Sequence, residues 1–164
     1  MSGSPSPRVA AGQRRRWLSY AIGAVVVLLD QLSKAWALEQ LTGHGSQRLL
    51  PGLLDLQLTF NTGAAFSLFT GSTRPLAVVS AVVAVAVVVW MQRQRELSRW
   101  RLWAVGLLLG GAIGNGIDRW RLGAVVDFLA LVPIHFPVFN LADVAINAAV
   151  ACFLLELLLQ RQRP

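Results

Sequence analysis

Long apolar blocks run along this chain, separated by clusters of arginine and by two longer connections. Four of the blocks approach the roughly 20 apolar residues that a helix needs to cross a lipid bilayer. They lie at residues 17–37, 75–91, 102–117 and 139–159. The pattern therefore predicts an all-α membrane protein, a single integral domain with four transmembrane helices.

The first long connection, at residues 38–74, has a pattern of its own. Within Leu54–Asn61 apolar and polar residues alternate strictly, which is the period of a half-buried β-strand. Thr62–Gly63 permits a chain reversal before residues 64–69. We therefore predict a small β-hairpin or sheet that rests on the membrane surface.

The second long connection, at residues 118–138, is apolar in its second half. Residues 128–138 contain Pro133 and Pro137, and proline interrupts regular helix. We expect this segment to lie at the membrane interface and not to extend into water.

The distribution of positive charge predicts the orientation of the chain. Ten of the 15 Lys and Arg residues lie before the first block, between the second and third, or after the fourth. Because cytoplasmic loops carry the excess of Lys and Arg, both termini should be cytoplasmic and both long connections should face outward. Residues 1–13, rich in Ser, Pro, Gly and Arg, predict a disordered cytoplasmic tail.

Composition excludes several classes of protein. The chain is 55% hydrophobic and 14% charged, with a mean hydropathy of +0.55, whereas soluble domains carry roughly 25% charged residues. The net charge of +7 does not indicate nucleic acid, because the basic residues flank apolar blocks and form no stripe interleaved with aromatic residues. One cysteine, Cys152, and two distant histidines, His44 and His135, predict neither a disulfide nor a metal site.

The first apolar block has a competing interpretation as a cleaved secretory signal. Three arginines at residues 14–16 precede it, and Ala35-Trp36-Ala37 imitates a small-x-small cleavage site. Asp30 and Lys34 argue against this, because they fall where a signal peptide should still be apolar. The three later blocks also favour a membrane span.

Polar residues inside the predicted spans are the main clue to function. An ionisable group in a span costs on the order of 3 kcal/mol or more, so each should pair, line a wet cavity or take part in chemistry. All but the last of the following fall toward the predicted outward side: Asp30, Lys34, Asn115, Asp118, Arg119, Asn140, Asp143 and Asn147.

Several of these residues have a structural interpretation beside the functional one. Asp30 and Lys34 are four residues apart, so they form a helix-end ion pair or brace an outward cavity. The trio Asn115, Asp118 and Arg119 shares one helical face and could simply satisfy a helix terminus. On the same helix the spacing of Gly106, Gly110 and Gly114 is typical of close packing against another helix.

Asp127 and Asp143 are carboxylates without a neighbouring cation in the sequence. A predicted chain reversal between the third and fourth spans allows them to meet, and Asn140 lies one turn before Asp143, where its amide could hold that carboxylate. Two aspartates in apolar surroundings would share one proton and could activate water as an aspartic protease does. Asp118 is the other candidate partner of Asp143, but Arg119 and Arg121 can neutralise it, so the sequence favours Asp127.

Two other classes of function remain as alternatives. Asp, Asn and Lys within a membrane also mark ion pathways, which would suit a small transporter. Clustering at one depth and the lack of a detectable repeat argue against that. A structural scaffold would explain the glycine packing but not two unpaired aspartates.

Five blocks, taken together and in this order, resemble those of bacterial lipoprotein signal peptidase, also called signal peptidase II. They cover residues 30–143 and are Asp30-Gln31-Leu32-Ser33-Lys34, Asn61-Thr62-Gly63-Ala64-Ala65-Phe66, Gly110-Gly111-Ala112-Ile113-Gly114-Asn115-Gly116-Ile117-Asp118-Arg119, Val125-Val126-Asp127-Phe128 and Phe139-Asn140-Leu141-Ala142-Asp143.

The resemblance implies an inner-membrane aspartic endopeptidase that acts near the periplasmic face. Such an enzyme removes the signal peptide of a prolipoprotein just before a cysteine that carries a diacylglyceryl group, works among membrane lipids without metal or cofactor, and is blocked by globomycin-type inhibitors. The resemblance makes Asp127 and Asp143 the catalytic dyad. It gives binding or supporting roles to Asp30, Lys34, Asn61, Gly63, Asn115, Asp118, Arg119, Asn140 and Ala142.

Overall fold

A computed structural model of the chain describes residues 7–63, 73–94, 96–134 and 136–161. These residues form helices and strands in the order α1 (Pro7–Leu41), β1 (Gln47–Leu50), β2 (Leu54–Asn61), α2 (Thr73–Arg93), α3 (Arg99–Leu122), β3 (Val125–Leu131) and α4 (Leu141–Arg161). Each predicted span falls within one helix, apart from residues 139 and 140, which precede α4. The protein is mostly helical, as predicted, with a small antiparallel sheet.

Three segments within the described residues are long and apolar enough to cross a membrane: Gly12–Leu41, Thr73–Arg93 and Leu141–Arg161. Large apolar side chains on α1, α2 and α4, such as Leu28, Val82 and Leu154, are more than half exposed, as a lipid-facing surface requires. Helix α3 does not meet this criterion, so the count of four spans stays a prediction.

Helix α3 lies between the other three helices and packs against each of them. Ser98 caps its first turn by accepting a hydrogen bond from the backbone N–H of Arg101 at 3.1 Å. A Cβ on Gly110 would lie 2.5 Å from Cβ of Val26 in α1, and one on Gly111 would lie 2.6 Å from the Ala142 carbonyl in α4. The glycines therefore provide close helix packing, which confirms the sequence interpretation.

The amino terminus differs from the prediction of a disordered tail over residues 1–13. Helix α1 begins at Pro7, and residues 1–6 lie outside the described part of the chain. Proline suits the first turn of a helix because its missing N–H would have no partner there, and the following Ala, Gln and Arg residues favour helix. The tail prediction was therefore wrong for residues 7–13.

The sheet has the strand order β1-β2-β3, with both pairs antiparallel. Strand β2 has the bounds that the alternating pattern predicts. Its described partners are β1, which precedes it through a turn at Gly52 with φ of 75°, and β3 from the second long connection. The expected reversal into residues 64–69 falls outside the described residues.

Strand β3 was not predicted from the sequence. The second connection is shorter than expected because α3 continues to Leu122 and Gly123 ends it with a left-handed φ of 71°. Residues 125–129 are all buried, so the strand has no alternating face and its apolar run does not distinguish strand from loop. Phe128 and Leu129 pack with Leu56 against Ala37 and Leu41 of α1, which fixes the sheet to the end of the helical bundle.

Candidate active site

A cavity of about 620 Å³ opens beside α4 at the end of the bundle that carries the sheet. Its polar part is formed by side chains from β2, α3, β3 and α4. Its apolar part is formed by α4 and by the segment between β3 and α4. The lining residues are Asn61, Asn115, Arg119, Val125, Asp127, Phe136, Pro137, Val138, Phe139, Asp143, Val144, Ile146, Asn147, Ala148 and Ala151.

Asp127 reaches this cavity from β3 and is only 2% exposed. Its two oxygens accept hydrogen bonds from amide side chains on either side, Asn61 at 3.1 Å and Asn140 at 2.6 Å. Asn61 is close because the β2–β3 register pairs it with Val125, two residues before Asp127. The sheet therefore brings an amide from the first connection to a carboxylate in the second.

Asp143 lies in the first turn of α4, where the start of the helix holds it. Asn140 caps the helix: its Oδ1 accepts from the N–H of Asp143 at 3.0 Å, while Oδ2 of Asp143 accepts from the N–H of Asn140 at 3.2 Å. This reciprocal pair is a capping box. The other oxygen of Asp143 accepts from the amide of Asn115 in α3 at 2.8 Å.

The hydrogen bonds of Asn140 differ from those expected from its spacing. The prediction that its side-chain amide would hold the Asp143 carboxylate was wrong, because the backbone N–H does so. The side-chain Nδ2 faces the other way and donates to Asp127 and to Oδ1 of Asn115, the latter at 3.0 Å. Asn140 thus contacts both candidate catalytic carboxylates through different groups.

A buried ionic cluster supports the cavity from the side of α1. Nζ of Lys34 lies 2.8 Å from Asp30 and 2.9 Å from Asp118, and it donates to Oδ1 of Asn115 at 3.0 Å. The expected pair of Asp30 and Lys34 is therefore present. Asp118 also accepts from the N–H of Val126 at 3.1 Å, which joins the end of α3 to β3.

The cluster corrects one sequence argument and adds a residue. We expected Arg119 and Arg121 to neutralise Asp118, but Lys34 does so, because the close α1–α3 packing brings residues 84 positions apart together. Gln31 was quoted within a block but not singled out. Its Nε2 donates to Asp118 at 3.0 Å and to Asp30 at 3.2 Å. The sequence signal that could have identified Gln31 was its position beside Asp30, as a polar residue within an apolar block.

Asp30 also accepts a hydrogen bond from the first turn of α4. Its Oδ1 accepts a hydrogen bond at 2.9 Å from the backbone N–H of Ala142, an amide in the first turn of α4 that has no partner within its own helix. A Cβ on Gly114 would lie 2.6 Å from the other oxygen of Asp30, so glycine is required for α1 and α3 to approach here.

Arg119 lines the cavity and is hydrogen-bonded to Gly63. Nη2 of Arg119 donates to the Gly63 carbonyl at 3.2 Å, and Nη1 donates to the Asn115 carbonyl at 3.4 Å. The N–H of Gly63 in turn donates to Oδ1 of Asn61 at 2.9 Å. Among the described residues, Nε of Arg119 is buried without a partner.

The electrostatic environment of Asp127 suits proton transfer near neutral pH. Burial raises the pKa of Asp127 to about 7, and the negative charge of Asp143 acts in the same direction. The hydrogen bonds from Asn61 and Asn140 and the charge of Lys34 oppose this shift. A carboxyl with this pKa can hold or release a proton at neutral pH, as a general acid or base must.

The structure brings every candidate residue named from the sequence into one network at this end of the bundle. Asp118 is engaged in the ionic cluster, whereas Asp127 and Asp143 both line the cavity. Within the described residues, neither of these two carboxylates forms an ion pair. The geometry therefore favours Asp127 over Asp118 as the partner of Asp143.

Known proteins are similar to this chain in sequence and in fold. The family profile described as signal peptidase (SPase) II matches residues 22–159. A lipoprotein signal peptidase of Parasynechococcus marenigrum (strain WH8102) is 53% identical over 143 residues, which cover 87% of this chain and 90% of that protein. One of Synechococcus sp. (strain RCC307) is 52% identical over 149 residues, 90% of this chain and 98% of that protein.

Solved structures show the same similarity. A bacterial membrane enzyme determined by the in meso method at 2.3 Å resolution superposes with a TM-score of 0.79 at 28% identity, covering 88% of this chain and 89% of that one. A second bacterial membrane enzyme, at 1.9 Å resolution, gives a TM-score of 0.74 at 29% identity over 85% and 92% of the two chains.

Proposed function

The chain belongs to the signal peptidase II family and is a multi-pass membrane peptidase, and from this premise we propose that it is an aspartic endopeptidase. Its substrate is a prolipoprotein, which it cuts immediately before a cysteine that carries a diacylglyceryl group. The observation that carries the mechanism is the pair Asp127 and Asp143, which line one cavity and have no ion-pair partner among the described residues.

In this mechanism the two carboxyl groups share one proton. The ionised member takes a proton from a water molecule, whose oxygen attacks the scissile carbonyl carbon. The protonated member gives its proton to the carbonyl oxygen, and a tetrahedral diol forms. When the diol collapses, the carboxyl that took the proton from water gives it to the nitrogen of the lipid-modified cysteine, and the C–N bond breaks. A diol hydroxyl returns its proton to the other carboxylate, which restores the shared proton. The products are a free carboxyl on the signal peptide and a free amine on the cysteine.

The amides around the dyad hold both carboxylates in place during these proton transfers. Asn61 and Asn140 donate to Asp127, and Asn115 donates to Asp143. The N–H groups of Asn61 and Asn140 stabilise the ionised form of Asp127, so they limit the rise in its pKa that burial causes. Lys34 orients the side chain of Asn115 by donating to its Oδ1, so the ionic cluster also helps to hold Asp143 in place.

The shape of the cavity supports a lipid-modified peptide as substrate. Beyond the carboxylates its wall consists largely of apolar side chains from α4 and from the segment that follows β3. An apolar signal helix and acyl chains can enter from the bilayer beside α4, while the sheet and residues 128–138 hold them from above. Globomycin-type inhibitors are expected to occupy the same cavity.

The proposed location is the bacterial inner membrane, with both termini cytoplasmic and the site near the periplasmic face. The arginine clusters flanking the apolar blocks support this orientation. A reporter fused after Pro164 should be cytoplasmic. A signal at that position from a reporter that is active only outside the cytoplasm would contradict the orientation.

The test is cleavage of a diacylglyceryl-modified prolipoprotein by purified protein, followed as a shift in gel mobility. Asp127→Asn and Asp143→Asn should each abolish cleavage while the protein stays folded. Glu156→Gln is a matched control, because Glu156 is also a buried carboxylate in α4 but contacts Ser98 and Arg101 at the opposite end of the bundle. Turnover close to the parent's in either Asp variant would remove that residue from the dyad.

A further inference from the structure

The cavity extends beyond Asp143 along one face of α4, toward the middle of the helix. The residues that line this extension are Val144, Ile146, Asn147, Ala148 and Ala151. Within this described part of the wall, Asn147 is the one polar side chain, and it is exposed. The proposed proton chemistry does not use it, and neither the ionic cluster nor the amides around the dyad contact it.

The orientation of the Asn147 amide follows from its hydrogen bond. Its Nδ2 donates to the backbone carbonyl of Asp143 at 2.9 Å. A carbonyl only accepts, so the nitrogen must face the helix backbone and the oxygen must point elsewhere. Among the described residues Oδ1 accepts no hydrogen bond. Oδ1 of Asn147 therefore presents a fixed hydrogen-bond acceptor to the cavity, in a part of the wall that is otherwise apolar.

A peptide bound for cleavage needs such an acceptor. The scissile segment has to leave the helical conformation so that water can reach its carbonyl. Each backbone N–H released in this way is left without a partner in an apolar cavity, which is unfavourable in a lipid-like medium. Asn147 lies about 6 Å along the helix axis from Asp143. In an extended chain this distance corresponds to about two residues.

We propose that Asn147 is a substrate-binding residue whose Oδ1 accepts the backbone N–H of the signal peptide about two residues before the scissile bond. Ester groups of a lipid offer acceptors and no donor, so this oxygen recognises the peptide and not the diacylglyceryl group. The assignment rests on the proposed function. It identifies which part of the substrate the α4 wall of the cavity contacts.

The test combines an altered side chain with altered substrates. Asn147→Leu keeps a similar volume and removes the acceptor. Four lipid-modified substrates each have one backbone amide replaced by an ester, at one of the four positions before the scissile bond. Each substrate therefore lacks a single backbone N–H. Asn147→Ala provides the same comparison with a smaller side chain. Ser80→Ala is the matched control, because Ser80 likewise donates to the carbonyl four residues earlier, but on α2 and away from this cavity.

We expect Asn147→Leu to raise KM about tenfold with little change in kcat, the effect of one hydrogen bond in a desolvated site. One ester substrate should raise KM of the parent by a similar factor, and that factor should vanish in Asn147→Leu. Ser80→Ala should behave as the parent. The assignment would be overturned if every ester changed KM by the same factor in the parent and in Asn147→Leu. It would also be overturned if Asn147→Leu left the KM for the all-amide substrate unchanged. A parent that fails to cleave the all-amide substrate would overturn the proposed function itself, and this assignment with it.

Discussion

Replacing Lys34 by methionine tests whether the ionic cluster supports both the fold and the dyad. Nζ of Lys34 lies 2.8 Å from Asp30 and 2.9 Å from Asp118, and the three side chains are 3%, 0% and 4% exposed. Removing one partner of a buried ion pair typically lowers the free energy of unfolding by about 3–5 kcal/mol, because the other charge stays buried and unpaired. Here two carboxylates lose their cation, so we expect a loss at the upper end of this range.

The decisive measurement is a double-mutant cycle with Asp118→Asn. The cluster carries a net charge of −1 in the parent, −2 in Lys34→Met and −1 again in the double variant. If charge burial dominates, the double variant should be more stable than Lys34→Met alone by about 1–3 kcal/mol. Thermal unfolding in detergent micelles can be followed by the fluorescence of the six tryptophans. Additive losses from the two substitutions would show that unpaired buried charge does not govern the stability of the cluster.

The same substitution should also lower activity, through Asn115. Lys34 donates to Oδ1 of Asn115 at 3.0 Å, and Nδ2 of Asn115 donates to Asp143 at 2.8 Å. Without Lys34, Oδ1 of Asn115 keeps, among the described residues, only the donor from Asn140, so the amide that donates to Asp143 is held less firmly. Arg101→Met is the matched control, because it removes the partner of Glu156 at 3.3 Å in a pair whose arginine is 31% exposed. Such a pair contributes about 1 kcal/mol or less, and its loss should leave cleavage unchanged.

Three further predictions concern the pKa of Asp127, helix packing and metal ions. Since the pKa of Asp127 is raised to about 7, the folded protein binds more protons than the unfolded chain between the ordinary aspartate pKa and pH 7, so stability falls as the pH rises across this interval. Cleavage should likewise decline above about pH 7, as the shared proton is lost, and the fall in Tm between pH 5 and pH 8 should be smaller in Asp127→Asn than in the parent; an equal fall in both proteins would argue against a buried titrating carboxylate there. Gly110→Ala should lower the free energy of unfolding by about 1–3 kcal/mol through overpacking against Val26, whereas Gly116→Ala, whose Cβ would lie 3.3 Å from Ser80, should cost less; equal losses in denaturation curves would contradict this packing. EDTA should not change the cleavage rate, and a loss that an added metal ion restores would overturn the dyad mechanism.

The parts of the fold that the sequence predicted are those with a local physical signal. The helices follow from uninterrupted apolar runs, and β2 follows from strict alternation with the bounds that it has in the structure. Strand β3 has no such signal, because both of its faces are buried and its partner β2 comes from a connection more than 60 residues earlier. Local pattern does not encode that pairing.

The same distinction applies to the candidate site. Its residues could be identified because polar groups are expensive within apolar sequence, and Asp30 with Lys34 could be paired because they are one helical turn apart. The predicted partners of Asp118 and Asn140 were wrong because spacing along the sequence shows only neighbours on the same helix. In the structure, Lys34 of α1 neutralises Asp118, and Asn140 turns its side chain toward β3. Packing between elements decides these contacts.

The hydrogen bond from Ala142 to Asp30 bears on the order in which the protein is made. It joins positions 112 residues apart, the first apolar helix and the last. During synthesis α1 leaves the ribosome before α4, with Lys34 already within reach of Asp30 on its own helix, whereas Asp143 emerges with α4. A nascent chain therefore holds at most one member of the proposed carboxylate pair until the first turn of α4 has been made. The helix turn that supplies the second carboxylate of the proposed dyad thus also supplies the amide that ties α4 to α1.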